Sequence, residues 1–207
     1  MEIFTRLNRA FETSLQRAED VLGETFSIPV HLQLISLQTL SGNGLLRAMD
    51  DQELTRRYAV VQIDFTGPVS GTGCLCLPIQ RAVQLVLLLA NDSLVTIDLN
   101  EVRADTLVEI CLIILGSVMN GLPIHRGSSE RVQYFGPQYT DYTLSESLRQ
   151  AMVKTGHTTD DIENTVVKAE IQLATHFGIY SLEIIAFLLI FFEQDLSFCL
   201  MNDQGIS

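Results

Sequence analysis

Asp105 and Glu109 stand one helical turn apart in the stretch Asp105-Thr-Leu-Val-Glu-Ile-Cys-Leu-Ile-Ile-Leu-Gly-Ser-Val-Met-Asn-Gly-Leu-Pro123, which is otherwise strongly apolar. A carboxylate in such a helix is costly unless it faces solvent or a partner, and on a rigid face it can anchor a cationic group. At 3.6 residues per turn, Asp105, Glu109, Leu112 and Gly116 share one stripe, while Leu107, Ile110, Ile114 and Val118 point toward a core. A site on this stripe has its acids but lacks a further polar member, because Leu112 neither donates nor accepts a hydrogen bond. The bland alternative for Glu109 is a local ion pair with Arg103 or Arg126.

Other chemistries lack their residues. Cys74 and Cys76 are two apart on one face of an expected strand and Cys111 and Cys199 stand alone, so all four read as reduced core thiols. His31, His125, His157 and His176 show no i,i+4 pairing, and a zinc site is not expected. The glycines around Gly42-Asn-Gly44 and Gly67 to Gly73 read as turns, not as a dinucleotide loop. No nucleophile elbow or phosphate-loop lysine is present. The adjacent Asp160-Asp161 point in different directions and read as a turn or cap.

The 207 residues carry 13 basic and 25 acidic side chains, a net charge of −12. That charge repels polyanions and makes nucleic acid an unsuitable partner, so a protein partner is expected. The apolar fraction of 47% and mean hydropathy of +0.25 raise the question of a membrane. The uninterrupted apolar runs, such as Ile184 to Phe192, fall short of the roughly 20 residues a span needs, and no membrane insertion is expected. The run reads as a buried strand. Met-Glu-Ile-Phe-Thr-Arg does not read as a signal peptide, and a cytoplasmic location is expected.

The elements positioning the stripe occur in one order twice. Phe4, Leu7, Phe11, Leu15, Ala18 and Leu22 predict a helix over 3–22 with Gly23 as its stop. A strand follows from Ile28 to Leu34, then a short helix or irregular connection over 45–54, a hairpin from 58–65 to 74–77, and a helix over 80–90 ended by Asn91-Asp92-Ser93. From about Asp98 the plan repeats: a long helix over 103–121, a strand near 131–135, a helix over 146–155 capped by Ser145, a hairpin from 166–174 to 182–192, and a short helix near 194–201. The offset between the long helices aligns Asn8 with Leu112, 104 residues apart. The expectation is one domain over 1–207 made of two similar halves, about 1–97 and 98–207. Each hairpin is expected to keep one polar face.

The spacing Asp105-x3-Glu109-x2-Leu112, followed by Leu-Gly-Ser-x-x-Asn-x-Leu, resembles the CheC/CheX/FliY family of bacterial chemotaxis proteins, as does the Phe65-x-Gly67-x-x-x-Gly71 turn. The resemblance implies an α+β, pseudo-twofold CheC-like fold, with long helices packed on a shared antiparallel β-sheet. It also implies dephosphorylation of a phosphorylated CheY-type receiver. There an Asn orients a water for attack on the receiver's phosphoaspartate while a Glu anchors the two proteins. No cofactor of the chain's own is implied, since Mg2+ would be held by the receiver.

By this resemblance Glu109 is the anchoring acid and Asp105 supports it at the helix start, where a carboxylate suits the helix dipole. Leu112 replaces the motif Asn. On the first helix the defect is complementary: Asn8 falls at the amide position, and Thr5 stands where the Glu would be. Asn8 is otherwise a polar residue on a solvent face. Leu112 and Thr5 then belong to a partner-binding surface, with Leu112 an exposed apolar spot suited to docking. Two functions follow from these expectations. One is a weak or degenerate phosphoaspartate phosphatase with Asp105, Glu109 and Asn8 as its catalytic candidates. The other is a non-catalytic binding or adaptor module for a receiver, a CheD-like protein or the flagellar switch.

Overall fold

Leu7, Phe11, Leu15, Ala18 and Leu22 recur every three or four residues and are all buried, the stripe by which a surface helix attaches to a core. They belong to helix α1, Glu2–Phe26. Phe4, expected on that stripe, is 49% exposed. The helix also runs through Gly23, and the chain turns at Ser27, a non-glycine residue at φ 54°. A left-handed residue just past the last turn is a common way to end a helix.

The computed structural model describes residues 2–89, 101–122, 131–155 and 165–193. After α1 come β1 Val30–Ser41, α2 Gly42–Ala48, α3 Asp51–Thr55, β2 Arg57–Thr66, β3 Gly71–Pro78, α4 Ile79–Leu89, α5 Glu101–Gly121, β4 Gln133–Thr143, α6 Leu144–Lys154, β5 Thr165–Phe177 and β6 Tyr180–Phe192. The connection over 45–54 is thus two short helices, the second fixed by reciprocal bonds: Glu53 N donates to Asp50 Oδ1 at 2.7 Å and Asp50 N to Glu53 Oε2 at 3.3 Å. The expected cap Ser145 lies inside α6. Thr143 begins that helix instead, because Glu146 three residues on accepts from its backbone N at 3.1 Å. The expected turns at 91–93 and 160–161, the junction at Asp98, the helix near 194–201, Cys199, His125, His157 and Arg126 lie outside the described residues.

The six strands form one antiparallel sheet in the order β1-β5-β6-β3-β2-β4. Exchanging β1 with β4, β2 with β5 and β3 with β6 reverses this order and leaves it otherwise unchanged. Each edge strand pairs across the chain: β1 with β5, and β4 with β2.

Helices cover both faces. On one, α1, α4 and α5 share the larger cluster of buried side chains with alternate residues of the strands. On the other, Leu45 and Met49 of the α2 region and Leu144, Leu148, Ala151 and Met152 of α6 pack on Tyr58, Cys76, Phe187 and Leu189. The expectation of one polar face per hairpin therefore fails for β3 and β6. In β6, Leu182, Ile184, Ala186, Leu188 and Ile190 enter the first cluster, while Phe187, Leu189 and Phe191 enter the second. Burial on both faces is why this strand reads as a continuous apolar run.

The window Ala104–Gly121 of α5 is long and apolar enough to cross a membrane, a feature hidden from a search for uninterrupted runs because Asp105 and Glu109 interrupt it. In this fold its apolar residues pack on the sheet and against α1 and α4.

Candidate functional site

Helix α5 is held on three sides. Leu107, Ile110, Cys111, Ile114, Leu115, Val118 and Met119 are buried, and the Cys111 thiol points at Val61 O of β2, 3.8 Å away. What remains is a narrow stripe on which Asp105, Glu109 and Asn120 are exposed and Leu112, Ile113, Gly116 and Ser117 are half-buried. Among the side chains that the structure describes, which include neither Arg103 nor Arg126, Asp105 and Glu109 have no hydrogen-bond or ion-pair partner. Leu112 is not the exposed apolar spot expected: it packs against the edge of the larger core cluster.

Leu112 therefore sits three residues beyond the free acid and contributes packing where an amide would contribute hydrogen bonds. The exposed amide on this helix is Asn120, the Asn of the Leu-Gly-Ser-x-x-Asn-x-Leu stretch, to which the sequence assigned no role of its own. It lies eleven residues from Glu109, about 16 Å along the axis, so the two cannot address one water. Beneath the stripe is another polar group: the Tyr134 hydroxyl of β4, 3.9 Å from where a Cβ on Gly116 would stand. It has no hydrogen-bond partner among the described residues. Burial pushes this phenol up to about 12, so it remains a neutral donor at ordinary pH.

On α1, Thr5 is exposed and Asn8 half-buried. The Asn8 amide donates to Glu12 Oε1 at 3.1 Å, so the first helix holds an amide and an acid one turn apart, in the order opposite to the motif. Glu19 continues that flank at helical spacing and reaches β1, accepting from Leu32 N at 2.9 Å. The opposite flank, Ala10 and Ser14, meets Gly121 of α5. Asn8 is thus on the side of α1 turned away from α5, and the structure does not bring it together with Glu109.

The buried thiols offer no alternative chemistry. Cys74, Cys76 and Cys111 are free and fully enclosed, and desolvation raises each thiol, that of Cys111 to about 12. Buried protonated thiols are poor nucleophiles and ligands. His31 and His176, on neighbouring strands, have ring centroids 5.7 Å apart, and His31 Nδ1 lies 3.2 Å from Glu19 Oε1. Sequence spacing gave no sign of that pair. No metal-binding group of three or more such side chains occurs among the described residues.

The overall α+β fold, with its six-stranded antiparallel sheet, is shared with solved chemotaxis and flagellar-switch structures. Thermotoga maritima FliY superposes with a TM-score of 0.68 at 14% identity, covering 99% of this chain and 98% of that one. The FliM middle domain from Vibrio alginolyticus gives 0.58 at 8% identity over 94% and 96%. A chemotactic CheC-like protein from Shewanella oneidensis gives 0.50 at 16% identity over 90% and 99%. No protein-family model matches the sequence, and no curated protein matches it. The fold is that of the CheC/CheX/FliY-like proteins, as the residue resemblance implied.

Proposed function

We propose that this chain is a chemotaxis signalling module that docks a phosphorylated CheY-type receiver through α5 and hydrolyses its phosphoaspartate slowly or not at all. The observation that carries this reading is Glu109: exposed, unpaired among the described side chains, and set on a helix whose other faces are packed. A carboxylate so placed can anchor a cation of the receiver. The position one turn away that would orient the attacking water is a half-buried leucine. Asp105 extends the acidic surface toward the helix start, and Thr5 lies on the separate α1 surface. The Mg2+ of the reaction belongs to the receiver, which already holds the phosphoryl group.

The test is binding and phosphate release with the cognate receiver in its phosphorylated or beryllofluoride-activated form. Wild type is expected to bind, Glu109→Lys to lose about tenfold or more in affinity, and phosphate release to stay near the receiver's own rate. Failure to bind any receiver, or fast release by wild type that survives Glu109→Gln, overturns it.

A second reading is favoured by the Asn8–Glu12 contact: residual hydrolysis from α1, with Asn8 orienting water and Glu12 holding the amide. The likeness to the FliM middle domain supports a further partner class, the flagellar switch, for the same non-catalytic role. A CheD-like partner rests on the resemblance alone.

A further inference from the structure

Three arginines line one groove on this acidic protein. Arg6, Arg9 and Arg17 stand with Thr13 along α1, around a shallow hollow of about 370 Å³ that ends on Gly121, the last residue of α5. Spacing of three to four residues puts all four side chains on one side of the helix, and Arg6 to Arg17 spans about 16 Å of its axis. The hollow exists because α5 ends directly against α1: a Cβ on Gly121 would stand 1.9 Å from Ser14 Oγ.

Arg9 and Arg17 are exposed, and among the described residues neither makes an ion pair or a side-chain hydrogen bond. Like charges one turn apart repel. The carbonyl end of α5 offsets part of that repulsion near Gly121, but it offers nothing that matches the forked donor geometry of a guanidinium. The flank turns acidic at Asp20 and Glu24, which bounds the basic stripe. The net charge of −12 disfavours a long polyanion, whereas a short segment can present a few carboxylates to the stripe alone.

We propose that the Arg6–Arg9–Thr13–Arg17 groove docks an acidic helical segment of a partner protein, with carboxylates at one-turn spacing received by the guanidinium groups. It goes beyond the receiver reading and does not depend on it, since it uses the flank of α1 opposite to Asn8 and Glu12 and makes no use of Glu109.

The test uses the full chain and a labelled alanine-based helical peptide carrying glutamates at one-turn spacing, followed by fluorescence anisotropy. Binding is expected to weaken with added salt, to fall about tenfold or more in Arg9→Gln/Arg17→Gln, and to be lost when the peptide's glutamates are replaced by glutamines. The charge-matched variant Arg47→Gln/Arg149→Gln, on α2 and α6 across the sheet, is expected to bind as wild type does, with circular dichroism confirming that both variants fold. Absence of binding, equal binding of the glutamine peptide, or equal loss in the control variant overturns the proposal. So does either of two reassignments: self-association of wild type that the Arg9/Arg17 variant abolishes, or binding to phosphatidylserine vesicles that depends on these arginines while the peptide does not bind.

Discussion

The Asn8 amide donates to the Glu12 carboxylate at 3.1 Å, so on α1 the acid follows the amide by one turn. An exposed contact of this kind contributes little to stability, within about 0.5 kcal/mol. Asn8→Ala is therefore expected to leave the urea midpoint almost unchanged and, if α5 is the docking helix, to leave receiver affinity and phosphate release unchanged as well. A clear loss of phosphate release in this variant moves the chemistry to α1.

Gly71 and Gly178 separate two reasons for a glycine. A Cβ on Gly71 would stand 2.1 Å from Phe191 O and 2.8 Å from Phe65 Cζ, so β3 and β6 would have to part. Gly71→Ala is expected to cost about 3 kcal/mol or more. Gly178 has φ +60° with nothing within 4 Å, and its alanine variant is expected to cost only about 1 kcal/mol of backbone strain. Denaturant midpoints of the two variants check the ranking. The turn glycine that carried part of the resemblance is thereby explained by sheet packing.

We infer that the chain is one folding unit of two intertwined halves. β1 hydrogen-bonds β5 and β4 hydrogen-bonds β2, so separating residues 1–97 from 98–207 leaves each half with an unpaired edge strand and half of a shared core. Neither fragment alone is expected to show a cooperative thermal transition, while an equimolar mixture regains one. Two fragments that each melt cooperatively would contradict this.

What could be read from the sequence follows from where each element sits. α5 stood out because two acids break an apolar helix, and β6 because burial on both faces leaves its run from Ile184 to Phe192 no polar residue. β4 was expected only near 131–135, yet it runs Gln133–Thr143 through Gly136 and Pro137. It is an edge strand, with most residues exposed or half-buried, so it needs no apolar alternation and tolerates a proline. Its pairing with β2 also shifts register between Gln62 and Asp64. At the site, the exposure of Glu109 was legible, because an acid in an apolar helix has few places to go. The half-burial of Leu112 was not, since it depends on where the core ends beneath the helix. The arginines of α1 carried no signal in the sequence, because only the tertiary contact of Gly121 with Ser14 makes them a groove.

Acid should weaken α6 through Glu146. Hydrogen bonds from the Thr143 hydroxyl and then from its backbone N–H hold this carboxyl below the usual range. The unfolded chain takes up the proton at a higher pH, so the contribution of the cap is complete above the unfolded carboxyl's pKa and fades as pH falls through the folded one. The stability difference between wild type and Glu146→Gln, measured by urea unfolding, is expected to shrink from neutral pH into acid. A difference independent of pH would show that the ionised carboxylate is not the stabilising species.

Leu112 is where one substitution should change what the surface does. It lies on the stripe between Glu109 and Gly116, with its side chain half-buried at the core's edge. An asparagine there gives up part of that burial, at about 1–2 kcal/mol, but its amide can turn to the solvent side and stand one turn from Glu109. If α5 already presents Glu109 to the receiver, Leu112→Asn supplies the missing water-positioning group, and such groups are worth about 10²- to 10⁴-fold. Phosphate release from the phosphorylated receiver is expected to rise by that order over wild type, with receiver affinity little changed, and Glu109→Gln in the same background is expected to remove the gain. Unchanged release by a folded Leu112→Asn that still binds the receiver would mean that the docked geometry does not bring this turn of α5 to the phosphoryl group.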